Sequence, residues 1–312
     1  MNEGTQHGIH RTRQHEKNHH MHRSPGRRRS GRAWAALTVM TLVGALGAGP
    51  VQSQTQPPLR QPFIVLASTT STEQSGLFGH LLPAFSAATG ITVRVVALGT
   101  GQALDTARRG DADVLLVHDP AAEERFMSEG FGLSRQAVMT NHFVLVGPRA
   151  DPAGVKGLAL VAAFKRLAAQ PAPLVQFVSR GDRSGTHAAE LRLWEAAGLA
   201  APPKQRPGFK DCGCAMGPAL NMASSLGAYL LTDRSTWLAF RNRGELLELL
   251  PEQARLPNPY SVIVVDPARH PHTKTALAQR FADWLVSAPG QARIAGHQVG
   301  GEQLFFPGQA TR

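Results

Sequence analysis

The chain has very little cysteine: Cys212 and Cys214 are the only two among 312 residues. A fold stapled by several disulfides is therefore excluded. The two lie two positions apart in a glycine-rich segment. That spacing fits a local disulfide, two free thiols or half of a soft-metal site, and it leaves these three possibilities open.

No apolar run in the sequence reaches the roughly 20 residues that a membrane-spanning helix needs. The run at 33–48 is shorter, follows a basic, histidine-rich head and ends in small residues. This pattern predicts a cleaved signal peptide over 1–53, starting at Met1 or Met21, and a Pro/Gln-rich linker over 54–61. The mature protein is then expected in the periplasm, and an uncleaved anchor is the alternative.

Beyond the head, the chain has only a small excess of positive charge. The full sequence carries a formal net charge of +11, and residues 1–53 account for +6 of it. The remaining +5 is spread over about 260 residues, which is enough chain for two compact lobes. So mild an excess does not indicate a nucleic-acid partner.

Signatures of catalysis and of cation binding are missing. The sequence has no Gly-x-Ser-x-Gly elbow, and His187 directly follows Thr186, too close for a triad. Asp105, Asp111 and Asp113 do not have the spacing of a metal-binding loop. The chain is therefore predicted not to be an enzyme, with a serine hydrolase using Ser184 or Ser71 kept as the alternative.

The sequence alternates short apolar runs with amphipathic segments, which predicts an α/β fold with parallel strands. Residues 63–67, 91–98, 113–117 and 141–147 are predicted strands, and helices follow the first three. A second α/β unit is expected over roughly 148–256. A further strand at 261–265 and two helices complete the chain.

Three strand-to-helix turns are rich in hydroxyl groups or glycine: 68–72 (Ser-Thr-Thr-Ser-Thr), 99–101 (Gly-Thr-Gly) and 179–186 (Ser-Arg-Gly-Asp-Arg-Ser-Gly-Thr). Helix openings carry unpaired N–H groups and partial positive charge, and hydroxyls and a guanidinium add further donors. The pattern favours a site for a small oxyanion. Simple helix capping by Ser184 and pairing of Arg180 with Asp182 is the alternative interpretation.

Seven segments, read together, resemble a known family. They are FIVLASTTSTEQSGL (63–77), GTGQAL (99–104), GDADVLLVH (110–118), VSRGDRSGTH (178–187), GAYLLTDRSTWLA (227–239), NPYSVIVV (258–265) and GEQLFFP (301–307). In this order they resemble the tungstate-binding proteins of ABC importers, the TupA-like family of periplasmic binding proteins. The resemblance covers 62–308.

The resemblance implies a bilobal, type II periplasmic-binding-protein fold: two α/β lobes, two crossover segments and a ligand cleft between them. Lobe 1 would comprise 62–147 plus 257–312, and lobe 2 would comprise 148–256. The expected function is capture of tungstate, and also of molybdate, for an ABC permease in the inner membrane. The receptor would be a monomer without cofactor or bound cation. A molybdate, sulfate or phosphate receptor of the same fold is the alternative.

The family's motifs also imply the site residues. Arg180 would neutralise part of the anion's charge, and hydroxyl and N–H groups would supply the other donors. The predicted ligand-binding residues are Ser68, Thr69, Thr70, Ser71, Thr100, Arg180, Ser184, Gly185 and Thr186. The chain departs from the family around 208–215, where relatives tend to carry Trp-Tyr and then a Gly-Gln-Gly-Met-Gly-like turn and this chain has Cys212 and Cys214.

The donor-only character of these motifs bears on anion selectivity. Tungstate and molybdate are fully deprotonated near neutral pH and need only donors, whereas phosphate keeps a proton and needs an acceptor. Asp182 is the candidate acceptor in its loop, and pairing with Arg180 or Arg183 is expected to occupy it. Sulfate differs mainly in size, which the sequence does not reveal.

Overall fold

A computed structural model of the chain describes residues 61–170, 175–199 and 207–308. The predicted signal peptide (1–53) and all of the predicted linker (54–61) except Gln61 lie outside these residues. Within the described ranges, none of the helices combines the length and the apolar character that crossing a bilayer requires.

Strands and helices alternate along most of the described chain. The strands are β1 (Phe63–Thr69), β2 (Thr92–Leu98), β3 (Val114–Val117), β4 (Gly132–Pro148), β5 (Phe177–Ser179), β6 (Phe209–Asp211), β7 (Tyr229–Asp233), β8 (Leu246–Glu248), β9 (Leu256–Val265), β10 (Gln298–Val299), β11 (Glu302–Gln303) and β12 (Phe306–Pro307). The helices are α1 (Thr70–Gln74), α2 (Leu77–Thr89), α3 (Thr100–Arg108), α4 (Pro120–Ser128), α5 (Leu160–Ala169), α6 (Gly185–Ala196), α7 (Met216–Leu226), α8 (Arg234–Ala239), α9 (Thr275–Val286) and α10 (Ala288–Ala295).

The main sheet is continuous through both lobes, and its strand order is β2-β1-β3-β9-β4-β7-β5-β6. Within the lobes, β1 runs parallel to β2 and β3, and β5 runs parallel to β6 and β7. In the middle, β9 is antiparallel to β3 and β4, and β7 is antiparallel to β4. The prediction of parallel strands is therefore wrong for the centre of the sheet, where the chain leaves one lobe and returns.

The two central strands are the crossovers between the lobes. β4 pairs with β9 from Gly132 to Phe143, and from Phe143 onward it pairs with β7. Phe143 and Val144 pack in the cores of the second lobe, whereas Val138 packs in the first. Because β4 is one uninterrupted strand, its residues belong to both lobes. The division at 147/148 and 256/257 stays a prediction.

Each lobe has apolar clusters on both faces of the sheet, as expected where helices cover parallel strands. In the first lobe, Leu66 and Phe281 lie in one cluster, and Leu115 and Phe126 lie in the other. In the second lobe, Phe164 and Trp194 form the centre of the larger cluster, with ring centroids 4.5 Å apart. These cores hold the strand ends that carry the candidate site.

The hydroxyl run at 68–72, predicted as a loop, is not a loop. β1 continues to Thr69, and α1 begins at the next residue. Thr69 is the N-cap of α1, and its Oγ1 accepts a hydrogen bond from the backbone N–H of Thr72. A capping threonine lets a strand pass directly into a helix, so no loop residues are needed.

Candidate functional site

The segment between β5 and α6 fixes the side chain of Arg180 in the interior. Arg180 is 1% exposed, pairs with the carboxylate of Asp182 and donates from Nε to the carbonyl oxygen of Cys214 at 3.4 Å. The other carboxylate oxygen of Asp182 accepts from the backbone N–H of Ser184 at 3.1 Å. The guanidinium is therefore buried, charged and held in one orientation.

Backbone geometry in the same segment demands glycine at one position. Gly181 has φ +60°, and a Cβ added there would lie 1.5 Å from Oδ1 of Asp211. Arg183, which is exposed, also adopts a left-handed conformation with φ +58°. Such conformations are uncommon for residues other than glycine, and they occur often at binding sites.

Cys212 and Cys214 form a disulfide, with their Cα atoms 5.1 Å apart. The structure thereby decides among the three possibilities that the sequence left open. The loop lies against the Arg180 segment: the N–H of Cys212 donates to the carbonyl of Ser179 at 2.9 Å, and that of Cys214 donates to the carbonyl of Arg180 at 3.0 Å. The departure from the family around 208–215 therefore contacts the predicted site.

Helix α6 opens beside this arginine. Ser184 is its N-cap and accepts from the N–H of His187 at 3.2 Å. The N–H of Gly185 donates across the cleft to Oγ1 of Thr100 at 3.1 Å. A helix of 12 residues has its positive end here, so the site's electrostatic field favours an anion.

The predicted hydroxyl residues of β1 and α1 have different contacts. Ser68 donates to the carbonyl of Leu116 at 2.6 Å, inside the sheet. Thr69 lies within hydrogen-bond distance of the hydroxyls of Ser71 and Thr72, at 3.2 and 2.6 Å. The hydroxyls of Ser68 and Thr69 are thus already hydrogen-bonded within the protein. The next residue, Thr70, is the first residue of α1.

The lobes contact each other around these residues. Besides the contact between Gly185 and Thr100, Oγ1 of Thr236 lies 3.3 Å from the carbonyl oxygen of Ser71. Nearby, the N–H of Gly217 donates to Oε1 of Gln74 at 3.1 Å. These contacts join α1 and α3 of the first lobe to the openings of α6, α7 and α8 of the second, which is the geometry of a closed cleft.

Four of the buried polar atoms around this contact form what we call the cleft polar set: Thr70 Oγ1, Thr186 Oγ1, His118 Nε2 and Asn258 Nδ2. None of the four has a hydrogen-bond partner in the part of the chain that the structure describes. A buried polar atom without a partner costs about 1–3 kcal/mol, so several together at one place indicate a built site for a polar ligand.

His118 links this set to both lobes. Its ring stacks on Tyr260 with centroids 4.5 Å apart, and Nδ1 lies 3.0 Å from Oδ1 of Asn258. A Cβ added at Gly185 would lie 2.8 Å from Cε1 of this ring. The hydroxyl of Tyr260 in turn lies among Thr72, Asn141 and Ser71. The contacts therefore bring the first lobe's strand ends against the opening of α6.

The buried carboxylate of Asp233 already has donors from the protein. It is the N-cap of α8 and accepts from the N–H and Oγ1 of Thr236, both at 2.9 Å, and from Oγ of Ser235 at 2.6 Å. The amide of Asn141 adds a weaker contact at 3.4 Å. Asp233 and Asp182 are therefore engaged acceptors, and the site presents mainly donors to a ligand.

Comparison with known proteins is in keeping with this geometry. A family model described as a PBP superfamily domain matches residues 46–289. The tungstate-binding protein TupA of Peptoclostridium acidaminophilum is 38% identical, over 88% of this chain and 96% of its own. The chain belongs to the TupA-like family of the PBP superfamily. The family prediction made from the motifs is thereby confirmed.

Solved TupA-like structures share the architecture. The tungstate-binding protein TupA of Desulfovibrio alaskensis G20 is 40% identical, with 79% of this chain and 99% of that chain covered and a TM-score of 0.66. The structure of the tungstate ABC transporter from Geobacter sulfurreducens is also 40% identical, with 74% and 97% covered and a TM-score of 0.67. The bilobal α/β fold predicted for the chain is confirmed.

Sequence reasoning singled out the nine hydroxyl, glycine and arginine positions but gave no role to His118, Asn258 or Tyr260 of this TupA-like chain. His118 directly follows β3, and the other two lie in β9. The signal was their position: His118 follows the end of β3, and Asn258 and Tyr260 lie in the first half of β9, where these strands adjoin the cleft. No spacing in the sequence reveals that two strands so far apart along the chain become neighbours.

Glu190, one turn into α6, lies behind the arginine segment of the TupA-like site. Its carboxylate accepts from Oγ of Ser179 at 2.9 Å and from Nε1 of Trp194 at 3.1 Å. Burial raises the pKa of Glu190 to about 7, against the hydrogen bonds that lower it. This carboxyl therefore changes charge near neutral pH in the folded protein.

We expect Glu190→Gln to change how stability depends on pH. Because the folded-state pKa lies above the ordinary value of 4.5, the native protein holds an extra proton between about pH 4.5 and 7. The unfolding free energy of the unaltered chain then falls as pH rises through this window, by at most roughly 3 kcal/mol from this group. Urea unfolding at pH 5 and pH 7.5 measures the difference.

The unfolding free energy of the unaltered chain minus that of Glu190→Gln should decrease from pH 5 to pH 7.5. Glu195→Gln, an exposed position on the same helix, is the matched control and should follow the unaltered chain at both pH values. Identical pH dependence for the unaltered chain and Glu190→Gln would contradict the prediction.

Proposed function

We propose that this protein is an extracytoplasmic receptor that captures tungstate and delivers it to an ABC importer. The observation that carries the proposal is the cleft polar set, contributed by both lobes next to a buried guanidinium and a helix opening. Three of the predicted ligand residues, Thr70, Arg180 and Thr186, belong to this arrangement. Relatives named tungstate-binding proteins support the choice of anion.

The engaged carboxylates support a fully deprotonated anion. Asp182 accepts from Arg180 and Ser184, and Asp233 accepts from Thr236 and Ser235. A hydrogenphosphate ion needs an acceptor for its own proton, and neither of these two carboxylates is free to serve as one, whereas tungstate, molybdate and sulfate need donors only. Closure of the lobes would surround the anion with donors and strengthen each contact by excluding water.

The other parts of the proposal follow from this role. The signal peptide over 1–53 would export the chain to the periplasm, where the monomeric receptor would meet an inner-membrane permease. Tungstate would be the ligand, with no cofactor and no bound cation. We propose that the protein has no enzymatic activity. The hydroxyl of Ser184 accepts a helix-capping hydrogen bond from the N–H of His187, and this is not the contact between a nucleophile and a general base.

Thermal unfolding of the protein lacking residues 1–53 tests this function. Tungstate at micromolar concentration should raise the melting temperature, because a ligand bound only by the native state stabilises that state. Molybdate should do so as well, and phosphate should not. If only phosphate or only sulfate raises the melting temperature, that anion is the ligand instead of tungstate. If none of the four anions raises it, the proposal of an oxyanion receptor is refuted.

A further inference from the structure

The side chain of His118 is the part of the cleft that the proposed function leaves unexplained. It is 2% exposed, so the ring is removed from solvent. Its Nδ1 lies 3.0 Å from the amide oxygen of Asn258. An amide oxygen only accepts, so Nδ1 carries the hydrogen, and a neutral ring has a lone pair at Nε2.

That Nε2 atom belongs to the cleft polar set, without a partner among residues 61–170, 175–199 and 207–308. The ring is fixed on one side by Tyr260 and lies against the backbone of Gly185 at the opening of α6. It is therefore not free to turn away when an anion enters. A lone pair facing a deprotonated oxyanion is repulsive, whereas an N–H at the same place donates a charge-assisted hydrogen bond.

We propose that His118 takes up a proton from solvent when the oxyanion binds, and that the resulting Nε2–H donates a hydrogen bond to the anion while the proton stays on the imidazolium. This inference rests on the proposed function, since it requires a dianion in the cleft. The bound complex then contains the guanidinium of Arg180, which is paired with Asp182, and a second cation, the imidazolium of His118, beside the dianion. Binding is consequently coupled to pH, although tungstate itself does not titrate near neutral pH.

The groups around the ring favour a neutral His118 in the absence of an anion. Burial lowers its pKa most, and Arg180 lowers it further. Asp233 in β7, the hydrogen bond from Asn258 in β9 and Asp119 on the same segment act in the opposite direction. A dianion beside Nε2 also raises the pKa of His118, so this pKa is higher in the complex than in the free protein.

The sign of the pH dependence follows. Since the complex binds more protons than the free protein, affinity is greatest at low pH and falls as pH rises through the pKa of the complex. Between the two pKa values, the dissociation constant is expected to rise by up to about tenfold for each pH unit. Uptake reaches at most about one proton per bound anion, at pH values between the two pKa values.

Isothermal titration calorimetry with sodium tungstate tests this in buffers of different ionisation enthalpy at pH 7 and 8. The slope of the observed enthalpy against the buffer's ionisation enthalpy gives the number of protons taken up. The unaltered chain should take up protons, and His118→Gln should bind with no uptake and a pH-independent dissociation constant. His270→Gln, whose ring contacts the backbone of Arg108 far from the cleft, should behave as the unaltered chain does.

Glu190→Gln tests a second buried group, whose pKa burial raises to about 7, and this variant should retain the uptake. Uptake that disappears in Glu190→Gln but persists in His118→Gln overturns the inference. Tungstate binding by the unaltered chain without proton uptake also overturns it, whether or not the His118 variant folds, and leaves the proposed function standing. If the unaltered chain binds no tungstate, both this inference and the proposed function are refuted.

Discussion

Replacing Arg180 by alanine should reduce tungstate affinity by at least about 100-fold, the largest effect expected of any single substitution in the cleft. The guanidinium is buried and fixed by Asp182 and the carbonyl of Cys214, so its charge acts at short range in a medium with little water. Breaking a buried charge pair by removing one partner typically costs about 3–5 kcal/mol, which corresponds to a factor of about 10² to 4 × 10³ in affinity. Calorimetric titration of tungstate measures the loss.

Arg183→Asn is the matched control for Arg180→Ala. It removes an arginine three positions away that is exposed and not buried in the cleft. Asparagine tolerates the left-handed backbone conformation at this position, where φ is +58°. Affinity should change less than about threefold in the control. Equal affinities for Arg180→Ala and the unaltered chain would remove Arg180 from the proposed site.

Substituting Gly185 by alanine should weaken binding by roughly 10- to 100-fold without weakening the fold of either lobe. A Cβ there would approach Cε1 and Nδ1 of His118 to 2.8 and 2.9 Å and its carbonyl oxygen to 3.0 Å. Contacts this short force the lobes apart, which breaks the bond from Gly185 to Thr100. Within the second lobe, alanine suits the first turn of a helix.

Two measurements distinguish impaired closure from unfolding. Small-angle scattering with tungstate should show a larger radius of gyration for Gly185→Ala than for the unaltered chain, whereas the anion-free melting temperatures should agree. Gly79→Ala is the control: it lies in α2, and a Cβ there meets no described atom within 4 Å. Normal affinity for Gly185→Ala would show that this contact does not limit closure.

Much of the candidate site could be predicted from local sequence. Ser184 capping α6, Arg180 pairing with Asp182 and the run of hydroxyls after β1 all depend on residues close together in the chain. Local patterns of this kind follow from backbone geometry and side-chain chemistry, which do not require knowledge of distant segments. The family motifs supplied the remainder of the fold prediction, because they run through most of the chain.

Other features depended on long-range pairing. The antiparallel centre of the sheet arises because β4 and β9 pair along most of their length, and β4 enters both lobes. A short apolar run does not reveal its partner or its direction, so 141–147 predicted only the end of a 17-residue strand. The disulfide between Cys212 and Cys214 likewise needed coordinates, because spacing alone allowed three states.

By itself, the sequence determined the alternation of strands and helices, the donor-rich turns and the family to which the chain belongs. Only the tertiary structure decided which donors are committed to the protein and which remain for a ligand. Ser68 and Thr69 have hydroxyls like that of Thr70, yet they are used inside the first lobe. Likewise, His118 reaches the opening of α6 only because two lobes close on each other. Hydrogen-bond satisfaction is a property of packed neighbours, and a sequence does not specify those neighbours residue by residue.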